Sequence, residues 1–432
     1  MRSGQSQQAK MPSWVTRMPV GRWYCISGDH PDLDLPVTPM GTRYLQNNDP
    51  AQDPALNPSR GPKESLRRLL GKSPNSPWRG RVGFPAITEA WNGAVLASKF
   101  GESGAMIVFG GGHDDYFGSD VHAFDLNTRQ WSRISDGYVS GRPEEYGPGA
   151  VYPNAEYPDR SPLPPHTYEY VQYDPVGNHY MLFKGQTELG PKVKATPIPH
   201  LFNLDTLTWR RGPKHPSARL NAGGWTTWDA SRRIMWGNSG DYGRGNAFIG
   251  FSPYGDNGDG TFGSWGTLYP NKLLGAANHN AMKIDPVRDI IVVVVHALDA
   301  LYAIDPSDLG KPIARLSSAG TKPKITEYAA IEYARGLDRL VYYSANDRAH
   351  IYSIEAPSGS TWPQLTPGTW VWRKILDDEN TLDPIADAAA ISSHQVNRSH
   401  TFGRFRVTTY GSTDVAILVR HIDTPVYAMR LT

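Results

Sequence analysis

An internal repeat constrains the fold of this chain more than any other feature. Residues 105–134 read AMIVFGGGHDDYFGSDVHAFDLNTRQWSRI, in which an apolar strand, a glycine triplet and a polar loop precede FDLNTRQW. The closing phrase returns as FNLDTLTW at residues 202–209. Asp and Asn hydrogen-bond their own backbone and tolerate left-handed geometry, so each phrase predicts a strand, a tight turn and a second strand anchored by Trp.

Weaker copies of the unit follow in phase along the chain. Each joins an alternating strand to a more apolar strand through a turn such as DPVGN, DASRR, DPVRD or ARGLD. This pattern is typical of β-hairpins. The units span approximately residues 86–135, 165–212, 220–268, 277–316, 325–375 and 400–432.

The last unit ends at VYAMRLT without an outer strand, and the N-terminal part supplies a candidate, GRWYCIS at residues 21–27. Pairing the first strand into the last blade would close a ring and leave no exposed edge. We therefore predict one all-β domain over residues 1–432, a six-bladed β-propeller with the N-terminal strand closing the last blade. Seven blades is the alternative, if residues 136–165 or 376–398 contain a degenerate blade. Residues 28–85 form an irregular segment with one helical candidate at 64–72.

The units resemble kelch repeats of the galactose-oxidase-like propeller superfamily, through Gly110–Gly112, the phrase 124–128 with Trp131, and the phrase 202–206 with Trp209. Copper radical oxidases of that superfamily need a cysteine cross-linked to a tyrosine. The single cysteine, Cys25, lies in the predicted closing strand, so a copper radical cofactor is not expected. The chain is also similar in character to the propeller ulvan lyases, which implies His, Tyr and Arg acting in β-elimination at the channel mouth.

Composition excludes several other classes of protein. The net charge is only +2, from 44 Lys and Arg against 42 Asp and Glu, whereas a general nucleic-acid binder needs a concentrated basic field. The longest apolar run, Ile290–Val295, is too short to span a bilayer. We expect no nucleic-acid partner, no membrane insertion and a monomer.

The start, MRSGQSQQAK, contains no secretory signal. The compartment is therefore open, and a secreted or periplasmic location would follow if this end is processed.

Candidate site residues occur where the innermost strands begin and in the loop after the glycine triplet, because propellers gather side chains from these positions around the channel. Three units open with histidine, in PPHTY, ANHNA and RSHTF. The candidate catalytic residues are His166, Tyr168, His279 and Arg219. The candidate substrate-binding residues are His113, Tyr116, Asn221, Trp91, Tyr328 and His400. The alternative for the histidines is a structural role in tying down neighbouring loops.

Two functions fit this set. The first is a carbohydrate-active enzyme, a polysaccharide lyase that cleaves an acidic, uronate-containing polysaccharide by β-elimination. That reaction needs a group that neutralises the carboxylate, a base and an acid, for which Arg, His and Tyr are suitable. The alternative is a non-catalytic kelch propeller that binds a glycan or a protein.

Neutral imidazole also suits zinc or manganese, so the histidines are candidate ligands of a divalent metal. A metal-dependent hydrolase would require carboxylates beside them.

Two further motifs have structural interpretations. GDNGDG at residues 255–260 lacks the spacing of a calcium loop, which predicts a plain hairpin turn. Trp225, Trp228 and Trp236 are expected in the core.

Overall fold

The computed structural model describes most of the repeat region and parts of the N-terminal segment. The described residues are 9–28, 31–36, 38, 87–88, 91–111, 118–135, 154–186, 195–216, 223–240, 246–269, 279–327, 329–344, 350–359, 361–375, 401, 403–420 and 424–432. Most of the predicted irregular segment, including the helical candidate at 64–72, lies outside them. So do residues 136–153 and 376–398, where a seventh blade was the alternative.

The described part of the chain is almost entirely β-structure, built mainly of four-stranded antiparallel sheets. The first two sheets contain β2 (Ala94–Ala97), β3 (Ala105–Val108), β4 (Val121–Asp125) and β5 (Gln130–Ser135), then β6 (Val171–Asp174), β7 (His179–Leu182), β10 (His200–Asn203) and β11 (Thr208–Arg211). A two-stranded sheet, β8 (Gly185–Gln186) and β9 (Ala195–Thr196), lies between β7 and β10 in the chain. The next sheet contains β12 (Thr226–Asp229), β13 (Ile234–Gly240), β14 (Asn246–Asp256) and β15 (Phe262–Trp265).

The C-terminal half adds an eight-stranded sheet and the sheet that receives the N-terminal strand. The eight-stranded sheet contains β16 (Ala281–Asp285), β17 (Ile290–Val295), β18 (Ala300–Ile304), β19 (Ala314–Gly320), β20 (Ala330–Ala334), β21 (Arg339–Tyr343), β22 (Ile351–Glu355) and β23 (Thr369–Ile375). The last sheet contains β24 (Phe405–Tyr410), β25 (Thr413–Val419), β26 (Val426–Arg430) and β1 (Trp23–Cys25). Short helices at Val15–Arg17, His296–Leu298 and Trp362–Leu365 complete the described elements.

The first strands of the four-stranded sets surround a central channel. β2 contacts β6, β6 contacts β12, and the series continues through β16, β20 and β24 back to β2. Parallel bridges join Asn92 to Tyr168 and Glu169 to Trp225, so neighbouring first strands run in the same direction. The N-terminal ends of these strands therefore meet at one end of the channel, and their turns meet at the other. This is a propeller-like arrangement.

The predicted closure by the N-terminal strand is confirmed. β1 pairs with β26 in antiparallel register, with Trp23 opposite Met429 and Cys25 opposite Tyr427. Trp23 is fully buried and meets the ring of Tyr343 edge-on at 5.7 Å between ring centroids. Residues from opposite ends of the chain thus share one sheet, which supplies the strand missing from the last repeat.

The repeated turns also have the predicted chemistry. Asp125 Oδ1 accepts hydrogen bonds from the backbone N–H groups of Asn127 and Thr128, both at 2.8 Å. Asn203 Oδ1 accepts the equivalent pair from Asp205 and Thr206. The tryptophan after each turn then packs on the phenylalanine before it, with ring centroids 5.3 Å apart for Phe124–Trp131 and 4.9 Å for Phe202–Trp209.

Two other predictions can be compared with the structure. Trp225, Trp228 and Trp236 are buried, as expected for core residues. Residues 257–261 connect β14 to β15, so GDNGDG is a hairpin turn as predicted. A feature that was not predicted is the parallel pairing of β19 with β23, which joins two four-stranded sets into the eight-stranded sheet.

Candidate functional site

The candidate site lies at the end of the channel where the first strands begin. From the sequence, Trp91, His166, Tyr168 and His279 were expected in the first residues of those strands. They instead precede them, since β2 begins at Ala94, β6 at Val171 and β16 at Ala281. The reason is backbone geometry, because Trp91, Tyr168 and His279 have φ angles of 62°, 45° and 65°. A left-handed residue interrupts the regular extended backbone, and here each of these strands begins only after it.

These four side chains form a chain of neighbouring rings. The Trp91 ring lies 4.8 Å from the His166 ring and is stacked at 6.5 Å from the Tyr168 ring, measured between centroids. The Tyr168 ring lies 6.3 Å from His166 and 5.3 Å from His279. We call these residues the aromatic cluster. Trp91, His166 and His279 are half-buried, whereas Tyr168 is only 5% exposed. The cluster therefore has a buried phenol between two partly accessible imidazoles.

Hydrogen bonds between adjacent segments fix the cluster. The Tyr168 backbone N–H donates to the Trp91 carbonyl at 2.7 Å. Asn92 Oδ1 accepts the Thr167 N–H at 3.0 Å, and Thr167 Oγ1 accepts the Gly93 N–H at 2.9 Å. A bulky residue with positive φ costs about 1–3 kcal/mol and persists only when its surroundings determine it strongly. These reciprocal bonds provide that support for Trp91 and Tyr168.

Two glycines make room for the site. A Cβ on Gly223, whose φ is 77°, would lie 1.9 Å from His279 Nδ1, and the Gly223 carbonyl accepts the His279 N–H at 2.8 Å. Gly110, the first residue of the glycine triplet, has a φ of 131°, and a Cβ there would lie 2.4 Å from Asn92 Oδ1. The next residue, Gly111, donates its N–H to the carbonyl of Pro165 at 3.0 Å. The triplet thus packs beside the segment that carries His166.

A lysine lies beneath the aromatic cluster, and the sequence analysis did not identify it. Lys184 follows β7 and is 1% exposed. Its Nζ lies 5.3 Å from the ring centroid of Tyr168 and 5.1 Å from that of Tyr170, both within the range of a cation–π interaction. Burial lowers the pKa of Lys184 to about 7, because desolvation disfavours the charged form. The sequence signal is a single lysine at the end of the apolar run YMLF.

The channel wall next to Tyr168 carries buried charges. Arg406 Nη1 lies 2.6 Å from Glu332 Oε1 and 3.5 Å from Glu169 Oε1, and Lys283 Nζ lies 2.6 Å from Glu332 Oε2. Burial raises the pKa of Glu169 to about 7, although the charge of Arg406 opposes this shift. The network links three neighbouring first strands and the residue that follows Tyr168. It forms a polar layer across the channel behind the site.

A buried arginine connects the site to the last sheet. Arg404 is fully buried, and its Nη1 donates to the Asn92 carbonyl at 2.5 Å. Its Nε donates to the Val419 carbonyl at 3.1 Å, and its Nη2 donates to the Arg420 carbonyl at 3.0 Å. These bonds hold the segment before β2 against the sheet that contains both ends of the chain. Arg404 therefore has a structural role in positioning Trp91 and Asn92.

The other predicted residues cannot be located in the structure. Six of them lie outside the described residues, so their membership of the site stays a prediction: His113, Tyr116, Arg219, Asn221, Tyr328 and His400.

Within the described ranges, no group of three or more His, Cys, Asp or Glu side chains is arranged to hold a metal ion. The described helices are also too short or too polar to cross a membrane.

A cavity of about 760 Å³ opens at the opposite end of the channel. It lies among the turns between the first and second strands, and Arg406 and Glu332 of the charged layer line its inner part. None of the four residues of the aromatic cluster lines it. The channel therefore presents two separate surfaces, the cluster at the strand starts and the cavity at the turns.

In sequence, the chain matches no family model and no curated protein. Solved structures give distant matches. An α-L-arabinanase of Penicillium chrysogenum, complexed with arabinobiose, matches with a TM-score of 0.42 and 10% identity over 80% of this chain and 96% of that one. The protein YjhT matches with a TM-score of 0.41 and 11% identity over 70% and 89%. A protein of unknown function from Bacteroides thetaiotaomicron matches with a TM-score of 0.39 and 8% identity over 79% and 69%.

Proposed function

We propose that this protein is a carbohydrate-active enzyme, a lyase that cleaves a uronate-containing polysaccharide by β-elimination at the aromatic cluster. The observation that carries this proposal is the placement of the Tyr168 phenol between the imidazoles of His166 and His279, with the Lys184 amine under the phenol ring. The set combines groups that exchange protons near neutral pH with a group that can become cationic. These are the chemical requirements of β-elimination at a uronate.

We also propose that the scaffold is a six-bladed propeller of kelch type. Three observations support it: the repeated four-stranded sets, the circular order of contacts among their first strands, and the pairing of β1 with β26. The kelch assignment rests on the glycine triplet from Gly110 and on the two Asx turns, each followed by a tryptophan. Such a ring would bring the segments before β2, β6 and β16 together at the aromatic cluster.

The proposed reaction divides three roles among these residues. One imidazole, of His279 or His166, removes the proton on the carbon next to the uronate carboxylate. The electron pair of that bond forms the new carbon–carbon double bond as the bond to the leaving glycosidic oxygen breaks. Tyr168 donates its phenolic proton to that oxygen. Positive charge near the carboxylate stabilises the developing enolate, for which Lys184 and the sequence-predicted Arg219 are the candidates.

Sugar positioning is assigned to Trp91. Its indole is half-buried and stacked on Tyr168, so one part of the ring packs in the cluster while another part is accessible. Aromatic rings provide large, rigid apolar surfaces, which suit the apolar face of a pyranose. Such a platform would hold a sugar unit next to the two imidazoles. The sequence-predicted binding residues His113, Tyr116, Asn221, Tyr328 and His400 are assigned to the surrounding loops as part of the same proposal.

The proposal is tested by incubation with a panel of uronate-containing polysaccharides while the ultraviolet absorbance of the unsaturated product is followed. At least one polysaccharide should give product. Of His166→Ala and His279→Ala, the variant that lacks the imidazole acting as base should lose at least about 100-fold in rate, because general acid–base catalysis contributes that much. His350→Ala provides a histidine control outside the cluster. Binding of a glycan without product would favour the non-catalytic propeller, and a saturated product would indicate hydrolysis.

A further inference from the structure

Lys184 has surroundings that differ from those of a surface lysine. Its side chain is 1% exposed and its Nζ faces the rings of Tyr168 and Tyr170, at 5.3 and 5.1 Å from their centroids. Tyr170 is fully buried, and its hydroxyl donates to the Asn238 carbonyl at 3.4 Å. Tyr168, by contrast, is a member of the aromatic cluster. The amine is therefore separated from the proposed substrate position by one aromatic ring.

The titratable groups around Lys184 lie in residues 166–170 and in the polar layer that contains Arg406. Tyr168 and Tyr170 face the amine, and Glu169 lies between them in sequence. The Glu169 carboxylate is instead close to Arg406 Nη1, at 3.5 Å. The two imidazoles of the cluster lie against the Tyr168 ring, His166 at 6.3 Å and His279 at 5.3 Å between centroids. Among the residues that the structure describes, the contacts of Lys184 Nζ are thus with ring faces, which stabilise an ammonium much less than a carboxylate does.

Burial of an ammonium without an anionic partner is unfavourable, and a buried lysine therefore tends to be neutral. A carboxylate that arrives nearby reverses this balance, because opposite charges interact strongly where water is excluded. The effect of burial on the pKa of Lys184, lowered to about 7, is consistent with a neutral amine above that pH. A ligand with one carboxylate on the aromatic cluster would supply the missing charge.

We propose that Lys184 selects anionic substrates by taking up a proton when a carboxylate-bearing sugar binds at the aromatic cluster. This inference rests on the proposed function and specifies how that site would distinguish a uronate from a neutral sugar. Above about pH 7 the amine is mainly uncharged in the free protein, which lowers the cost of burying it. On binding, one proton from solvent converts it to an ammonium that balances the charge of the carboxylate. A neutral sugar brings no charge, so it induces no proton uptake.

Proton uptake on binding makes the affinity depend on pH in a defined direction. The complex binds more protons than the free protein, so affinity for the anionic sugar falls as pH rises above about 7. The fall approaches about tenfold per pH unit when one proton is taken up. The imidazoles of His166 and His279 are the other groups at the site that can gain a proton. A Lys184 variant is needed to separate their contribution from that of the amine.

The test is isothermal titration calorimetry at a pH about one unit above 7, in two buffers with different ionisation enthalpies. The probes are trisaccharides of galacturonate and of mannuronate and a hyaluronan tetrasaccharide, each compared with its carboxyl-reduced, neutral counterpart. Catalysis is prevented with Tyr168→Phe, which retains the ring. At least one uronate should bind with uptake of close to one proton, and its neutral counterpart should bind without uptake.

Three variants make the result specific to Lys184. K184M should abolish the uptake and weaken uronate binding by about tenfold or more, a typical loss for a charged partner. K184R should bind the uronate without proton uptake, because arginine stays charged. K311M, at a partly exposed lysine paired with Asp305 at 2.6 Å, should behave as the parent protein.

Several results would overturn the inference. Proton uptake that persists in K184M, uronate binding without uptake in the parent, or failure of every uronate to bind would each do so. If uronates are bound and cleaved without proton uptake, the inference about Lys184 fails while the proposed function stands. Cleavage of a neutral glycan by hydrolysis would instead contradict the proposed function.

Discussion

Replacement of Gly223 by alanine should displace the His279 ring from the aromatic cluster. At ideal geometry the new methyl group would lie 1.9 Å from His279 Nδ1 and 2.0 Å from Cε1, whereas ordinary contacts fall between 3.4 and 4 Å. The ring or the backbone must therefore move by roughly 1.5 Å to restore van der Waals separation. Because the His279 N–H is bonded to the Gly223 carbonyl at 2.8 Å, such a movement would disturb the segment before β16 as a whole.

The expected loss of stability has two contributions that the chain allows us to separate. Gly223 has a φ of 77°, and a left-handed alanine costs about 1–2 kcal/mol. The steric clash adds about 1–3 kcal/mol, as for an overpacked core. Gly411, in the turn between β24 and β25, has a similar φ of 65°, but a methyl group added there would have no atom within 4 Å. Gly411→Ala should therefore show the backbone contribution alone.

Urea unfolding and product formation, measured on the same preparations, test this reasoning. Gly411→Ala should lose about 1–2 kcal/mol and keep its activity. Gly223→Ala should lose more stability and most of its activity. In a His279→Ala background, where the clashing ring is absent, Gly223→Ala should cost no more than Gly411→Ala. Equal losses for Gly223→Ala with and without the His279 ring would refute the proposed contact.

Three further predictions concern the scaffold. Trp23→Ala, at a fully buried position in the closing strand β1, should cost about 3–5 kcal/mol in urea unfolding, and a loss below about 1 kcal/mol would argue against closure by β1. Burial raises the pKa of Glu169 from 4.5 to about 7, so the folded state holds a proton that the unfolded chain releases, and stability should fall as pH rises through that window. Thermal unfolding of Glu169→Gln should lack this fall, and an unchanged pH profile would contradict the assignment. Asp289→Asn neutralises the carboxylate that lies 2.6 and 2.7 Å from the Arg232 guanidinium, and Arg232 keeps its bond to Asp229 at 2.8 Å. Because the Asp289 side chain is 48% exposed, the loss should be about 1 kcal/mol or less and should shrink in high salt, whereas a larger, salt-independent loss would contradict this estimate.

The strands and turns were predictable because their signals are local. The Asx turns at Asp125 and Asn203 depend on one side chain and the next three residues, and alternation with an apolar partner strand defines each hairpin. The pairing of β1 into the last sheet was predictable because the last repeat in the sequence has no fourth strand. The parallel pairing of β19 with β23 was not predictable, because it depends on how the edge strands of two neighbouring sheets approach each other in space.

The site was only partly predictable. Trp91, His166, Tyr168 and His279 could be proposed because they lie just before three of the first strands, β2, β6 and β16. The left-handed backbone of Trp91, Tyr168 and His279 could not be predicted, since it depends on hydrogen bonds between neighbouring segments and not on local propensity. Lys184 was missed because its place after the apolar run YMLF is a weak signal, since lysines are mostly exposed in folded proteins. Its burial follows from the packing of Tyr168 and Tyr170 around it.

The most direct test of the account is the initial rate of unsaturated product formation by wild-type protein and by Tyr168→Phe on the uronate polysaccharide that the panel identifies. The variant keeps the ring that contacts both imidazoles and Lys184, and it removes the hydroxyl that would donate the proton. Tyr302→Phe in β18, measured in parallel, controls for the loss of a hydroxyl elsewhere. The account predicts a rate reduced by at least about 100-fold in Tyr168→Phe at unchanged stability, with Tyr302→Phe unaffected. Product formation at the wild-type rate by Tyr168→Phe would contradict it.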